Sequence, residues 1–286
     1  MTEPFRGSGS KLSRQQLRAR KYARLHRDVY VLTPADDSLA VRAVAALAAV
    51  PDATVSHSTA ARLLGLPVDV DAFVHVTRPA GAASSKHPRL KPHRAELPGS
   101  DVTVHRGVRV TTPERTFLDL ASTLPHTELV VLADAVARTV GLASLSRRVA
   151  QAHGVRGVRR ARAALALADP GSDSPAETRT RLILRAAGFS RLRHGVDVSD
   201  GQGGWLARPD LADEAAKVAV QYDGLVHLGD DPEQRRSDID RDELLRQHGW
   251  QVVVLTAVDL RNPHRMVEKV AAAYARSSSV ALRPKN

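Results

Sequence analysis

The spacing of apolar positions changes several times along this chain, and each change marks an element. Residues 1–10 carry no period and read as disordered. Ser13, with Gln16 three residues on, has the pattern of a capping box and opens a short helix through SRQQLRARKYARL. Val29-Tyr30-Val31-Leu32 is a short β-like run before Pro34. Leu39 to Val50 reads as a buried helix, and Ser56 to Leu64 as another, stopped by Gly65. Phe73 to Thr77 alternates like a strand, whereas 79–100 is rich in Pro, Gly, Ser and basic residues and reads mostly as loop. Val102–His105 and Val108–Val110 predict a hairpin through Arg106-Gly107. Thr112-Pro113-Glu114 starts a helix to about Thr123, because Pro suits the first helical position and an acid suits the first turn. Two more helices follow, Glu128–Thr139 and Leu145–Ala168, the second with an Arg-rich face.

Asp169-Pro-Gly-Ser-Asp-Ser-Pro175, a cluster of turn formers between helical patterns, is the clearest boundary. Beyond it the order is helix, strand, strand, helix, strand, and a last helix. Ser174-Pro175-Ala176-Glu177 begins a helix ending at Gly188. Trp205–Ala212 and Lys217–Tyr222 are strands around a turn at Asp213–Ala216. Pro232–His248 is a helix, Trp250–Thr256 a strand, and a helix follows from about Pro263 to Ala275.

A length of 286 residues suits two ordinary domains, and 43% apolar residues can fill their cores. The formal net charge of +11 points to a polyanionic partner, with nucleic acid first. The absence of cysteine excludes disulfides, thiolate zinc sites and cysteine nucleophiles. The N-terminus lacks the apolar core of a secretory signal, and Leu39–Val50 is too short for a span and carries Arg42. The expectation is a cytoplasmic protein with no membrane partner and an open oligomeric state. No P-loop, GxGxxG after a strand, GxSxG or HExxH appears, which argues against nucleotide hydrolysis, dinucleotide chemistry and zinc proteolysis.

The candidate chemistry sits on the hairpin of the C-terminal part. If Asp210 pairs opposite Ala219 across an even turn, Val218, Val220 and Tyr222 face an apolar side. Ala219, Gln221 and Asp223 then share the other face with Asp210, so one face is core and the other gathers oxygen ligands. Such a face suits Mg²⁺ (or Mn²⁺), a metal able to activate water at a phosphodiester. Glu177 offers a further acid from the preceding helix, and at N3 the same residue completes a capping box with Ser174. His227, four residues beyond Asp223, is a candidate acid/base. Basic residues for the phosphate backbone are Arg14, Arg18, Lys21 and Arg24 near the N-terminus, and Arg235, Arg236 and Arg241 on the later helix.

The set Glu177, Gly188, Arg208-Pro209-Asp210, Asp223-Gly224, His227, Asp238, Arg241, Leu245 and Gly249-Trp250 followed by VVVL resembles the very-short-patch-repair-like endonucleases, of restriction-endonuclease-like PD-(D/E)XK type, over about residues 172 to 275. The resemblance implies a metal-dependent DNA-cleaving fold with Asp210 as the main metal ligand. Many relatives carry Glu where Gln221 stands, and Asp223 stands in place of the usual Lys. The N-terminal region resembles the abortive-infection type IV antitoxins and regulators, through Ser13–Leu17, Val29–Leu32, Ser56–Ala61 and Thr112–Thr116. Those proteins carry an N-terminal winged helix-turn-helix. Here only about thirty residues precede Tyr30, enough for a recognition-like helix and a wing-like strand, and Asp28 stands where a Gly usually precedes the wing.

The expected fold class is α/β. Residues 1–35 form a basic arm with a truncated winged-helix-like remnant, 36–168 a mixed α/β antitoxin-like region with a helical linker, and 169–286 a restriction-endonuclease-like domain with a mixed central sheet flanked by helices. The main functional reading is a metal-dependent DNA endonuclease or nickase, with Asp210 and Asp223 on the metal and Glu177, Gln221 and His227 around them. The alternative is a DNA-binding transcriptional regulator or antitoxin-like protein with an inactive nuclease fold.

Overall fold

The computed structural model describes residues 3–34, 37–69, 71–82, 87, 89–200, 202–224 and 232–281. The fold is mixed α/β with several sheets, and the chain divides into two compact units, Met1–Ala168 and Asp169–Asn286. Among the described residues, no single helix is long and apolar enough to cross a membrane.

The first unit opens with β1 (Phe5–Arg6), which pairing with a later strand orders inside the stretch expected to be disordered, followed by α1 (Arg14–Leu17), β2 (Tyr22–His26) and β3 (Val29–Leu32). The three strands form one antiparallel sheet in the order β1-β3-β2. The Ser13 capping box forms in full, with Gln16 N–H donating to Ser13 Oγ and Gln16 Oε1 accepting from Ser13 N–H. The helix nevertheless stops at Leu17, and Tyr-Ala-Arg-Leu, expected as helix, is strand β2. Pairing with β3 outweighs local propensity there. Asp28 turns the β2–β3 hairpin with φ +62°, a glycine-like conformation that Asp tolerates; its carboxylate accepts from the Ser8 N–H at 2.9 Å.

The next elements are α2 (Leu39–Ala49), β4 (Thr54–Val55), α3 (His57–Leu63), β5 (Val74–Arg78), β6 (Leu90–Arg94), β7 (Val102–His105) and β8 (Val108–Thr111). The strands build a five-stranded mixed sheet in the order β6-β5-β4-β8-β7. Its apolar positions Val55, Val74, Val76, Val108 and Val110 bury against Ala43 and Ala46 of α2 and Ala60 of α3. The hairpin turns at Arg106 and Gly107, both with positive φ. Strand β6 lies in the stretch read as loop: parallel pairing with β5 overrides its Lys-Pro-His-Arg content. Helices α4 (Pro113–Leu120), α5 (His126–Val140), α6 (Leu142–Ala150) and α7 (Val158–Leu165) complete the unit. Thr112 caps α4 through Arg115 N–H. The expected single helix from Leu145 to Ala168 is broken between α6 and α7, where Gly154 and Gly157 adopt positive φ.

The second unit contains α8 (Pro175–Ala186), β9 (Val198–Ser199), β10 (Trp205–Ala207), β11 (Leu211–Asp213), β12 (Val218–Asp223), α9 (Pro232–Gln247), β13 (Gln251–Thr256), α10 (Ala257–Arg261) and α11 (Pro263–Ala281). The expected strand Trp205–Ala212 is two strands, interrupted at Arg208-Pro209-Asp210; β10 pairs with β9, and β11 with β12. Proline at 209 removes a ladder donor at that break. The central sheet is mixed: β11 is antiparallel to β12, and β12 is parallel to β13. One face packs Leu211, Val218, Val220, Val253 and Leu255 with Leu184, Met266 and Val270. The other packs Ala212 and Ala219 with Leu245 and Trp250. Both faces are therefore core, which corrects the expectation of an apolar face and a ligand face. The polar side chains of β12 lie toward its C-terminal end, Gln221 buried and Asp223 exposed.

Candidate functional site

The hairpin pairs Ala212 with Ala219 and Leu211 with Val220, so Asp210, one residue earlier, falls in register with Gln221 rather than Ala219. The turn lies one residue later than expected, at 214–217, which slides the pairing by two and preserves which side chains share a face. Asp210 is half-buried, Gln221 is buried, and Asp223 is exposed at the end of β12. The Tyr222 N–H donates to Asp210 Oδ2 at 2.6 Å, and Gln221 Nε2 donates to Asp242 Oδ1 at 3.5 Å. Burial pushes the Asp210 carboxyl up to about 6; the Tyr222 N–H opposes this, the charges of Glu177 and Asp173 add to it, and Arg241 counters it. Glu177, Asp173 and Arg241 thus surround Asp210 electrostatically. Burial also lowers His194, opposed by the carboxylate of Asp169. Neither His194 nor Asp173 stood among the sequence candidates; only their proximity in space reveals them.

Glu177 occupies N3 of α8, and its N–H donates to Ser174 Oγ at 3.2 Å. Its carboxylate accepts from the Asp173 N–H at 2.8 Å, one residue before the position a capping box would use. His227 lies outside the described residues, as do the side chains of Arg235 and Asp238. Arg236 is exposed, whereas Arg241 is half-buried beside Asp210. Arg14, Arg18, Lys21 and Arg24 are all exposed around α1 and β2. Asp213, read as turn, is buried and structural, accepting from Arg191 Nε at 2.9 Å, the Tyr274 hydroxyl at 2.9 Å and the Ala216 N–H at 3.1 Å.

As a magnesium site the hairpin is thin. Asp210 is paired in register with a neutral amide, and among the described residues no three acid or histidine ligands converge there. A hard divalent ion takes several oxygen ligands and favours carboxylates.

Sequence reasoning missed a second cluster, in the first unit. His57 opens α3, His75 lies in β5 and His93 in β6, and one ligand nitrogen from each falls within 4.8 Å of the others. His93 Nε2 stands 3.1 Å from His75 Nδ1, and His75 Nε2 bonds Asp71 Oδ2 at 2.7 Å. The rings of His57 and His93 stack with centroids 3.5 Å apart. Ser56, the N-cap of α3, makes no side-chain cap bond; its Oγ accepts from Thr77 Oγ1 at 2.8 Å and lies 3.0 Å from His57 Nδ1. Burial lowers all three imidazoles, His57 to about 2 and His93 to about 4; repulsion from the neighbouring histidines adds to it at His57 and His93, and the Asp71 carboxylate opposes it at His75. Burial raises Asp119 to about 6, against the opposing pull of Arg115. Three histidines 18 residues apart on separate elements leave no local signal.

Two uncharacterized proteins of Mycobacterium tuberculosis are similar to this chain: MT2308 of strain CDC 1551 / Oshkosh and Rv2248 of strain ATCC 25618 / H37Rv. Each is 26% identical over 223 residues, covering 74% of this chain and 78% of the relative. The crystal structure of RV2827C protein from Mycobacterium tuberculosis overlays with a TM-score of 0.36 and 15% identity, covering 52% of this chain and 66% of that one. Residues 52–167, which hold the whole five-stranded sheet and helices α3 to α7, match the family model of the AbiEi antitoxin C-terminal domain.

Proposed function

We propose that this chain is a DNA-binding regulator of the antitoxin type, whose C-terminal unit is a very-short-patch-repair-like nuclease fold without cutting activity. The observation that carries this reading is the match of residues 52–167 to the AbiEi antitoxin C-terminal domain. AbiEi antitoxins are typically DNA-binding regulators. The net charge of +11 and the exposed Arg14, Arg18, Lys21 and Arg24 suit phosphate contact. The one-turn α1 is too short to serve as a full recognition helix, so base reading by the N-terminal sheet is not part of the reading. Against cleavage stands Gln221, buried in register with Asp210, where many resembling nucleases place an acid.

One observation favours the second reading, a Mg²⁺-dependent endonuclease or nickase: the charges of Glu177 and Asp173 raise Asp210, and a bound cation would relieve that field. In that reading Asp210 and Asp223 hold the metal, while Glu177, Gln221 and His227 assist. The testing experiment for the regulator is fluorescence anisotropy of the full chain on a short labelled duplex across a KCl series. Binding that weakens steeply with salt supports the proposal; absence of binding at low salt overturns it.

A further inference from the structure

The three histidines of the first unit are brought together by the sheet itself. In the parallel β5–β6 pair, His75 registers with Lys91 and Thr77 with His93, so His75 and His93 stand two positions apart on one face. The Ser56 N–H donates to the His75 carbonyl at 3.0 Å, which seats the start of α3, and with it His57, over the same point. His57 holds φ +53° at the first helical position, a left-handed conformation that costs a non-glycine residue free energy and tends to occur where a side chain is being aimed.

From this geometry we propose that His57, His75 and His93 bind one Zn²⁺ ion, with the fourth position left to solvent. Zinc–nitrogen bonds of 2.0–2.1 Å in a tetrahedral shell place ligand nitrogens roughly 3.3 Å apart. His75 Nδ1 and His93 Nε2 already stand 3.1 Å apart, and the widest separation in the trio is within 4.8 Å. Fanning the stacked His57 ring closes the remainder, at most about 1.5 Å on the zinc geometry. The outer partners are in place. Asp71 holds His75 Nε2 and so leaves Nδ1 for the metal. Asp119 Oδ2 is buried without a hydrogen-bond partner, 3.9 Å from His57 Nδ1. When His57 gives Nε2 to the metal, its Nδ1 keeps Ser56 Oγ at 3.0 Å, with the Asp119 carboxylate beyond it at 3.9 Å. Lys91 and Arg115 also lie near the rings, and Asp71 and Asp119 balance their charge. An all-imidazole set selects a borderline ion such as zinc over magnesium, which takes oxygen. The bound ion ties α3 to β5 and β6 and so stabilises this unit.

The test uses the full chain, purified without a histidine tag and stripped with chelator, then titrated with ZnCl₂ by calorimetry and followed by thermal melting. Expected are one zinc per chain, a rise in the thermal midpoint, and no effect of MgCl₂. His93→Gln, on half-exposed edge strand β6, weakens zinc by roughly 100-fold or more, and Asp71→Asn by about 10–100-fold. His264→Gln, at an exposed ring, leaves it unchanged. No stoichiometric uptake by the wild-type chain overturns the proposal, as does unchanged affinity in folded His93→Gln. Should the histidine variants fail to fold, X-ray absorption at the zinc edge of the wild-type complex decides: three imidazole ligands support the site, and an oxygen-only shell overturns it.

Discussion

The backbone N–H of Tyr222 donates to the carboxylate of Asp210 at 2.6 Å, clasping the interrupted strand to β12. That bond favours the ionised carboxyl, yet burial and the charges of Glu177 and Asp173 outweigh it and raise Asp210 to about 6. A carboxyl raised above its unfolded value destabilises the fold at neutral pH. The penalty is fully present above pH 6 and disappears as pH falls toward the unfolded pKa near 4. Asp210→Asn is therefore expected to raise stability above pH 6, by at most about 3 kcal/mol and less with solvent screening. Urea melts of both chains between pH 4 and pH 8 check this, with the two curves converging at the acid end. A constant difference across that range contradicts it.

Asp101 anchors the helical part of the first unit. Its side chain is 1% exposed and accepts from Arg115 Nη1 at 3.0 Å, and from Arg148 Nε and Nη2 at 2.8 and 2.7 Å. Arg115 also bonds Asp119 at 2.8 Å, so α4 and α6 meet at one buried carboxylate. Removing one partner of such a network leaves buried charge uncompensated. Asp101→Ala should cost about 3–5 kcal/mol in chemical denaturation. A loss under about 1 kcal/mol would place the network among exposed pairs of little worth.

Arg14, Arg18, Lys21 and Arg24 are exposed, on or beside α1 and β2. If they contact phosphates, replacing any one by Ala weakens binding to all duplex sequences alike. It also reduces the slope of log affinity against log salt by about 0.9. Anisotropy across a KCl series measures both quantities. Wild-type slopes in all four variants would remove this region from the interface.

Gln221 and Asp210 share one register position, and Gln221→Glu restores a second carboxylate there. Magnesium is expected to raise the thermal midpoint of Gln221→Glu and to leave the wild-type chain unmoved, as read by thermal melting with and without MgCl₂. Equal response in both chains would show that the amide is no obstacle.

Elements whose local signals agree were legible in the sequence. Thr112-Pro113-Glu114 starts α4, Arg106-Gly107 turns the β7–β8 hairpin, and the apolar run before Thr256 is β13. Elements decided by partners were not. The two residues of β4 sit inside the five-stranded sheet, and β6 is strand because β5 runs beside it. At the candidate site, strand period two placed Asp210, Gln221 and Asp223 together even though the register was off by two. The burial of both sheet faces was hidden, because Ala212 and Ala219 are small enough to read as neutral positions until Leu245 and Trp250 cover them. The histidine cluster was illegible for a related reason: its members come from three elements joined by Ser56 N–H and the β5–β6 pairing.

Supercoiled plasmid incubated with the full chain in Mg²⁺ or Mn²⁺, with bound and nicked DNA scored in the same samples, separates a regulator from a nuclease. A regulator with an incomplete metal pair retards the plasmid in a salt-sensitive manner and leaves it supercoiled. Metal-dependent nicking that disappears in Asp210→Asn would contradict the account and make the hairpin an active nuclease site.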